Sequence, residues 1–362
     1  MEDKKYWIWL SSLPGVGSKS CLNLIRHFGS AENVYQCSCS ELLETGIINA
    51  QTAKTVSLHR NLENANDYLR TVKENGIKVY TILDNEYPDN LKNIYDPPPV
   101  LYVKGELKES DSLAVGIVGS RKASDYGLRM AKRIAARLAE LEITIVSGMA
   151  LGIDSAAHRG AVSVNGRTIA VFACGLKHVY PMTNYQLSQE IQKCGALISE
   201  YPFDREAFPQ QFPARNRIIS GMSLGVIVVE AGEKSGSLIT ADFALEQGRE
   251  VFAVPGNISS PNSKGTNTLI KNGAKLVSEL EDIIEELNLN LTYKGKSDAD
   301  NCGRSDISAE EERILAYLKK MGGDKDEIAA ATELQPGKVM AALTKLEIKG
   351  LIQQIGGNYL LI

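Results

Sequence analysis

The sequence has no long hydrophobic segment. None of its apolar runs approaches the ~18 residues that a membrane-spanning helix needs. The apolar run near the start, within MEDKKYWIWLSSL, is too short for a secretory signal peptide. We therefore expect a cytoplasmic protein that has no membrane partner.

Cysteine and histidine are scarce, with 6 and 4 residues among 362. The cysteines are scattered, and only Cys37 and Cys39 lie close together in the chain. Neither a C-x-x-C pair nor a Cys/His cluster with the spacing of a zinc site is present. The sequence therefore predicts no metal site and no disulfide framework, and reduced thiols fit the expected location.

The chain also lacks an excess of positive charge. Its formal net charge is −4, which does not indicate a generally basic nucleic-acid-binding protein. Phosphate contacts act over a Debye length of about 8 Å, so a local basic groove remains compatible with this balance. A length of 362 residues with 43% hydrophobic content favours two or three folded domains.

Cofactor fingerprints and catalytic groupings are missing as well. Residues 116–119 read Gly-Ile-Val-Gly, which is not G-x-G-x-x-G, and no G-x-x-x-x-G-K-[ST] is present. His158 falls inside a predicted helix, where packing is its favoured role. Glu230, at the end of a predicted strand, is the best single acid, although it could equally accept hydrogen bonds from loop N–H groups. The sequence thus predicts no cofactor and no catalytic residues.

The most informative stretch is residues 212–257. An apolar run at 225–230 predicts a buried strand, 231–237 a small-residue loop, 238–247 a helix and 250–254 a second strand. This order is a βαβ unit whose loop presents N–H groups at a helix N-terminus, where phosphate binds. Arg215, Asn216 and Arg217 precede it, so we expect a ligand that carries several phosphates.

Strands and helices alternate through the whole central region. The pattern predicts an α/β fold, a Rossmann-like doubly wound and mostly parallel sheet. One predicted helix, at 124–141, carries four basic residues on one face, and the sequence favours a solvated surface there. The basic residues of that face are Arg129, Lys132, Arg133 and Arg137.

Doubly wound sheets bind ligands at the carboxyl ends of their strands. The residues at the predicted strand ends are mostly small and polar, with charge from Arg121 and from the pair Arg215 and Arg217. We therefore expect one shared anion-binding crevice. The strand ends carry Gly119, Ser120, Arg121, Ser147, Gly148, Gly175, Gly232, Ser235, Gly236, Ser237, Pro255, Gly256 and Asn257.

The expected domains are a helical module at 1–75, a connector at 76–110, the Rossmann-like core at 111–287, a linker at 288–306 and a winged helix at 307–362. The turn Leu-Pro-Gly-Val-Gly at 13–17 fits a helix-hairpin-helix that holds a DNA phosphate, or a packing turn of a sterile-alpha-like (SAM) module. Residues 306–362 contain seven Lys and Arg against nine Asp and Glu. That balance favours a protein contact over duplex binding for the winged helix.

Several motifs of the core resemble those of one family. They are Gly-Ser-Arg at 119–121, Ser-Gly-Met-Ala-Leu-Gly-Ile-Asp at 147–154, Phe-Pro-Ala-Arg-Asn-Arg at 212–217, Ser-Gly-Ser-Leu-Ile-Thr-Ala at 235–241 and Val-Pro-Gly-Asn at 254–257. The chain is similar to the DNA-processing protein A family (DprA, also called Smf). The resemblance implies a non-catalytic binder of single-stranded DNA that protects incoming strands and loads RecA recombinase in natural transformation and DNA recombination. It also implies a homodimer built through the central domain.

The resemblance further implies roles for particular residues. Arg121 would contact a phosphate, Arg215 and Arg217 would line the same pocket, and Phe212 would stack on a base. Ser235, Gly236 and Ser237 would donate hydrogen bonds to phosphate. The complete expected set for single-stranded DNA is Gly119, Ser120, Arg121, Ser147, Gly148, Phe212, Arg215, Asn216, Arg217, Ser235, Gly236, Ser237 and Asn257.

The sequence is also compatible with two other functions. The core is similar to the lysine-decarboxylase-like phosphoribohydrolases, which would make it a nucleotide-processing enzyme, although their Pro-Gly-Gly-x-Gly-Thr loop is replaced here by Ser-Gly-Ser-Leu-Ile-Thr. A regulator that binds duplex DNA through the winged helix is the third hypothesis.

Overall fold

The computed structural model describes residues 3–289, 308–318, 322–332, 334–348, 351–355 and 358–361. The chain divides into two compact units, Met1–Asn290 and Leu291–Ile362. Most of the expected linker, from 290 to 306, lies outside the described residues. Among the helices of the described ranges, none has both the length and the apolar character that crossing a bilayer requires.

The first unit begins with the predicted helical region. Its short helices start where side chains cap them: Ser30 and Asn49 accept from backbone N–H groups three residues on, and Ser38 with Glu41 forms a capping box. The helices are α1 (Asp3–Ser12), α2 (Ser18–Phe28), α3 (Ala31–Gln36), α4 (Cys39–Glu44), α5 (Ala50–Leu58) and α6 (Leu62–Glu74).

These helices do not have a core of their own. Trp7 and Leu10 of α1 belong to the same buried cluster as Tyr102, Leu197 and Phe203 of the sheet region. The N-terminal helices are therefore packed onto the edge of the sheet, and apolar burial holds the two regions together.

Residues 76–110 correct an expectation. They do not form a connector, because β1 (Ile77–Thr81) and β2 (Val100–Gly105) pair antiparallel with each other and β2 pairs antiparallel with β6 (Ala196–Ser199). The short helix α7 (Asp89–Lys92) lies between them. The three consecutive prolines at 97–99 belong to the loop that leads into β2.

The sheet of the described residues has nine strands in the order β1-β2-β6-β5-β4-β3-β7-β8-β9. Every pairing from β6 to β9 is parallel, so the predicted Rossmann-like, mostly parallel sheet is confirmed. The remaining elements are β3 (Ala114–Val118), α8 (Asp125–Glu140), β4 (Thr144–Ser147), α9 (Ile153–Ser163), β5 (Thr168–Val171), α10 (Tyr185–Cys194), α11 (Gln211–Gly221), β7 (Gly225–Val228), α12 (Gly236–Glu246), β8 (Glu250–Ala253), α13 (Lys264–Lys271), β9 (Lys275–Leu276) and α14 (Glu281–Glu286).

The strand order reverses between β3 and β7. From β3 the chain proceeds through β4 and β5 to one side, and from β7 through β8 to the other. Loops that leave such a pair of strands diverge, and this opens a crevice at their carboxyl ends. The fold therefore places the entrance of a ligand site between two loops, the one that leaves β3 after residue 118 and the one that leaves β7 at residue 229.

The second unit is the predicted winged helix. Its first helix starts at the expected capping box, in which the Glu311 backbone N–H donates to Ser308 Oγ at 3.3 Å. Ile314, Leu343 and Tyr359 are among its buried core. The elements are α15 (Ala309–Leu318), α16 (Lys325–Thr332), α17 (Pro336–Ile348), β10 (Ile352–Ile355) and β11 (Asn358–Leu361).

The contact between α8 and α9 depends on Gly160. A Cβ there would collide with the Lys132 carbonyl oxygen and approach the Ala135 Cβ at 3.0 Å. We expect Gly160→Ala to lower the free energy of unfolding by ~1–3 kcal/mol, because overpacking forces the helices apart. Urea denaturation measures it, and Gly236→Ala, where a Cβ meets nothing within 4 Å, is the matched control. Equal stability of Gly160→Ala and wild type would show that the helices part without strain.

Candidate functional site

A pocket of about 760 Å³ opens at the reversal point of the sheet. Four of its lining side chains are cationic and one, Asp154, is a carboxylate, so an acidic chain carries a local basic crevice. The lining residues are Val118, Gly119, Ser120, Arg121, Lys122, Ala150, Asp154, Tyr180, Pro209, Phe212, Pro213, Arg215, Asn216, Ile219, Gly232, Lys234, Ser235, Gly236, Ser237, Ile239, Thr240 and Asn262.

Three planar side chains meet at one wall of this pocket. The Arg121 guanidinium lies 5.1 Å from the centroid of the Phe212 ring, in cation–π geometry. The Tyr180 ring also packs on the Phe212 ring, with centroids 5.4 Å apart and planes inclined by 58°. Arg121 is exposed and Tyr180 is 53% exposed, so both offer a face to a ligand.

The start of α12 is another part of the pocket lining. Ser235 caps this helix, its Oγ accepts from the Ser237 N–H at 3.4 Å, and the two hydroxyl oxygens are 2.8 Å apart. Gly236 faces open space, and Asn216 donates from Nδ2 to its carbonyl oxygen at 3.2 Å. The positive end of the helix dipole and the hydroxyls therefore favour an anion here.

The floor of the pocket holds a buried charge. Arg215 is only 3% exposed and donates from Nη1 to the carbonyl oxygens of Gly148, at 2.6 Å, and of Val171. Burial lowers the pKa of Arg215 to about 10, an effect that nearby Asp154 opposes. Arg215 thus remains cationic near neutral pH and is held rigidly beneath the site.

Asp154 is fixed in the same floor. Its carboxylate accepts from the backbone N–H groups of Gly148, at 3.1 Å, and Ala150, at 3.3 Å. Burial raises the pKa of Asp154, whereas Arg215 and those N–H groups act in the opposite direction. The carboxylate orders the loop after β4 and compensates part of the Arg215 charge.

Arg217 does not face the pocket, and the expectation that three arginines converge there is wrong for this residue. It is 7% exposed and forms a bidentate ion pair with Glu200 at 2.9 and 2.7 Å. It also donates to the Asp96 carbonyl oxygen at 3.0 Å and to Ser18 Oγ at 3.3 Å. Burial lowers the pKa of Arg217, but Glu200 outweighs that effect and the net shift is upward.

The physical reason is helical geometry. Phe212 and both arginines lie on α11, and residues two apart on a helix point to different sides. In the linear sequence Arg215 and Arg217 flank Asn216, which predicts a pair of arginines only where no helix separates their directions. Phe212 and Arg215, three apart, do share a face, and both line the pocket.

Other expected site residues serve the framework instead. Ser147 Oγ donates to the Ile117 carbonyl oxygen at 2.6 Å, and Gly148 leaves room for the Arg215 guanidinium. Gly119 lines the pocket, but a Cβ there would approach Ile153 Cγ1 at 2.6 Å, so close packing requires this glycine. Asn257 is exposed, accepts from Ser259 and is not part of the pocket lining.

The structure adds residues that sequence reasoning missed. Lys122 follows Arg121 at the same strand end, and Lys234 lies inside the predicted phosphate loop, so their positions carried a signal. Tyr180 and Asn262 gave no such signal, because Tyr180 lies in a loop and Asn262 in a one-turn 3-10 helix, Pro261–Ser263, and only the fold determines where these segments run. Asn262 donates from Nδ2 to the Lys122 carbonyl oxygen at 3.0 Å.

The two ambiguous acid–base residues are structural. Glu230 accepts from the Ser124 backbone N–H at 2.9 Å and from Ser124 Oγ at 2.5 Å, which anchors the start of α8. His158 is buried within α9 with Nδ1 2.7 Å from Thr168 Oγ1, and burial lowers its pKa to about 3. Within the described ranges, no cluster of His, Cys, Asp and Glu could hold a metal ion.

Fold and pocket together define an α/β protein whose Rossmann-like sheet carries a positively charged crevice at its reversal point. The chain belongs to the DNA recombination-mediator protein A family, whose model matches residues 78–288. A second model, the DprA winged helix domain, matches residues 303–358.

Named relatives agree with this assignment. DNA processing protein DprA of Bacillus subtilis is 47% identical over 220 residues, covering 60% of this chain and 74% of the relative. Protein Smf of Escherichia coli is 35% identical over 365 residues, covering 99% of this chain and 96% of the relative.

Two solved structures are also similar. DNA processing protein A of Streptococcus pneumoniae matches with a TM-score of 0.68 and 35% identity, covering 78% of this chain and 97% of that chain. DNA processing protein A of Helicobacter pylori, described for its unique single-stranded DNA binding mode, matches with a TM-score of 0.53 and 34% identity, covering 58% of this chain and 96% of that one.

The Arg217–Glu200 pair generates a stability prediction. We expect Arg217→Met to lower the free energy of unfolding by about 3–5 kcal/mol, because it leaves the Glu200 side chain, 11% exposed, charged and without its partner. The double variant Arg217→Met/Glu200→Leu should regain a large part of that loss, since the carboxylate that then lacks its cation is that of Asp96, which is more exposed than Glu200.

Urea denaturation of both variants measures this effect. Lys264→Met, which breaks an exposed pair with Glu233, is the control and should change stability by no more than about 1 kcal/mol. If Arg217→Met were no more destabilising than Lys264→Met, the pair would not anchor α11.

Proposed function

We propose that this chain binds single-stranded DNA in the pocket at the β3–β7 reversal point. The observation that carries the proposal is that the stack of Arg121, Phe212 and Tyr180 lines the same pocket as the N-terminus of α12. Aromatic faces hold bases and a helix N-terminus holds phosphate, so one pocket offers sites for both parts of a nucleotide.

The two groups of lining residues bind different parts of a nucleotide. Ser235, Gly236 and Ser237 take a phosphate at the helix start, and the exposed cations Arg121, Lys122 and Lys234 neutralise its neighbours. A base stacks against the Phe212 and Tyr180 rings. Stacking accepts every base, so binding is expected to tolerate sequence. Buried Arg215 adds a fixed positive charge from below.

Stacking on protein rings favours a single strand over a duplex. A base inside a duplex is already paired and stacked, and removing it takes a few kcal/mol. The site also lies in a crevice at the carboxyl ends of β3 and β7 and not on a protruding helix that could enter a groove. The single-stranded DNA binding mode described for the Helicobacter pylori relative supports the same proposal.

The family assignment extends the proposal to a process. We infer that the chain takes part in DNA processing during transformation and recombination, where it protects single strands and delivers them to RecA recombinase. A homodimer built through the central domain and a cytoplasmic location belong to the same proposal. Support comes from the family, a recombination-mediator family, and from relatives named DNA processing protein.

Binding without turnover is the proposed mode. The acid that a nucleotide-processing enzyme would need, Glu230, is occupied by Ser124 and is not part of the pocket lining. Asp154 is the carboxylate that lines the pocket, and it is engaged by backbone N–H groups. No specific contact in the part of the chain that the structure describes therefore favours the phosphoribohydrolase alternative.

Two substitutions test the pocket. We expect Arg121→Ala to weaken binding to an oligothymidylate and to reduce the slope of log K against log salt by about 0.7, the value for one phosphate contact on a single strand. Phe212→Ala should lose about 1–3 kcal/mol, roughly 5- to 150-fold in affinity, through one lost stacking partner.

Fluorescence anisotropy with a labelled oligothymidylate and with the same sequence as duplex measures both effects. Lys193→Ala, an exposed residue in the last turn of α10, is the control and should match wild type. Unchanged affinity in both Arg121→Ala and Phe212→Ala, or a preference for duplex, would refute the proposal.

A further inference from the structure

The basic face of α8 is not used by the pocket. Arg129, Lys132, Arg133 and Arg137 are all exposed, and their spacing of three and four residues places them along one side of the helix. The opposite side, which includes Ala131, Ile134, Ala135 and Leu138, is buried against the core. We call this set of four cations the α8 stripe.

The stripe carries charge of one sign only. Between Asp125 and Glu140 the helix contains no acidic residue. Arg137 has Glu140 at 3.9 Å in an exposed pair, and the other three form no ion pair with any residue of the described ranges. Like charges four apart destabilise a helix, so a solvated face normally mixes both signs. The α8 stripe lacks such a mixture of positive and negative side chains, although the chain as a whole is acidic.

The stripe continues directly from the pocket. Arg121 and Lys122 line the pocket edge, and α8 starts three residues later at Asp125. Its start is fixed there, because Ser124 is held by Glu230 and the Tyr126 hydroxyl donates to the Pro255 carbonyl oxygen at 3.2 Å. At 1.5 Å per residue, Arg129 lies about 6 Å and Arg137 about 18 Å from the start of the helix.

We propose that the α8 stripe is a second contact surface for the same DNA strand as it leaves the pocket. The surface recognises a polyanionic backbone, since its recognition groups are four cations. The aromatic residue of α8, Tyr126, lies at the start of the helix, where its hydroxyl donates to the Pro255 carbonyl oxygen. The helix is about 24 Å long, a distance covered by roughly seven stacked nucleotides at about 3.4 Å each. The inference rests on the proposed function, because it needs the strand to be anchored in the pocket.

The expected consequence is a dependence on strand length. An oligothymidylate of about 6 nucleotides occupies the pocket alone, whereas one of about 20 reaches the stripe. Arg129→Gln/Arg133→Gln should leave the affinity for the short strand unchanged and lower that for the long strand roughly tenfold near 0.1 M salt. The salt slope for the long strand should fall by about 1.4, which corresponds to two lost phosphate contacts.

The matched control is Lys193→Gln/Lys271→Gln, which removes two exposed cations from the ends of α10 and α13. Anisotropy with both strands on the full chain, together with thermal unfolding of each variant, completes the experiment. A loss confined to the long strand and to the α8 variant supports the inference.

The remaining outcomes overturn it in distinguishable ways. Equal weakening of the short and the long strand means that α8 acts through the pocket. Equal weakening by the control means that net charge alone is responsible. Unchanged binding of both strands removes DNA as the partner of the stripe and leaves an acidic protein surface in its place. Failure of wild type to bind either strand contradicts the proposed function itself.

Discussion

The bidentate ion pair between Arg217 and Glu200 sets the rotation of α11 about its axis. Because each residue of a helix is turned by a fixed angle from the previous one, holding Arg217 against Glu200 and Asp96 fixes where Phe212 and Arg215 point. Both then face the pocket. The same guanidinium reaches Ser18 at the start of α2, so one buried cation joins the N-terminal helices to the sheet.

The site combines buried charges at its floor with exposed charges at its rim. Arg215 and Asp154 are buried and hydrogen-bonded to backbone groups, which makes the floor rigid. Arg121, Lys122 and Lys234 are exposed and adjust to a ligand at the rim. A flexible polyanion suits this arrangement, because its phosphates meet adaptable charges while its bases meet fixed ring faces. A local excess of cations makes this possible in a chain whose net charge is −4.

Close packing, more than conformational freedom, explains several glycines of the core. Gly119, Gly148 and Gly160 each lack room for a Cβ, since Ile153, Arg215 and Lys132 approach them. Gly236, by contrast, faces open space at the start of α12, where a ligand phosphate has access. One residue type thus serves both the framework and the site, and only the surroundings tell the two uses apart.

The sequence by itself determined the alternation of strands and helices, the Ser-Gly-Ser loop at the start of α12 and the winged helix, because these follow from local periodicity, capping and turn chemistry. It also placed Arg121 and Ser235 at strand ends that meet at one edge. Only the tertiary structure decided that β1 and β2 extend the sheet, that Arg217 turns away to Glu200, and that Tyr180 reaches Phe212. Those three outcomes depend on contacts between segments far apart in the chain, and no local pattern records which distant partner a side chain meets.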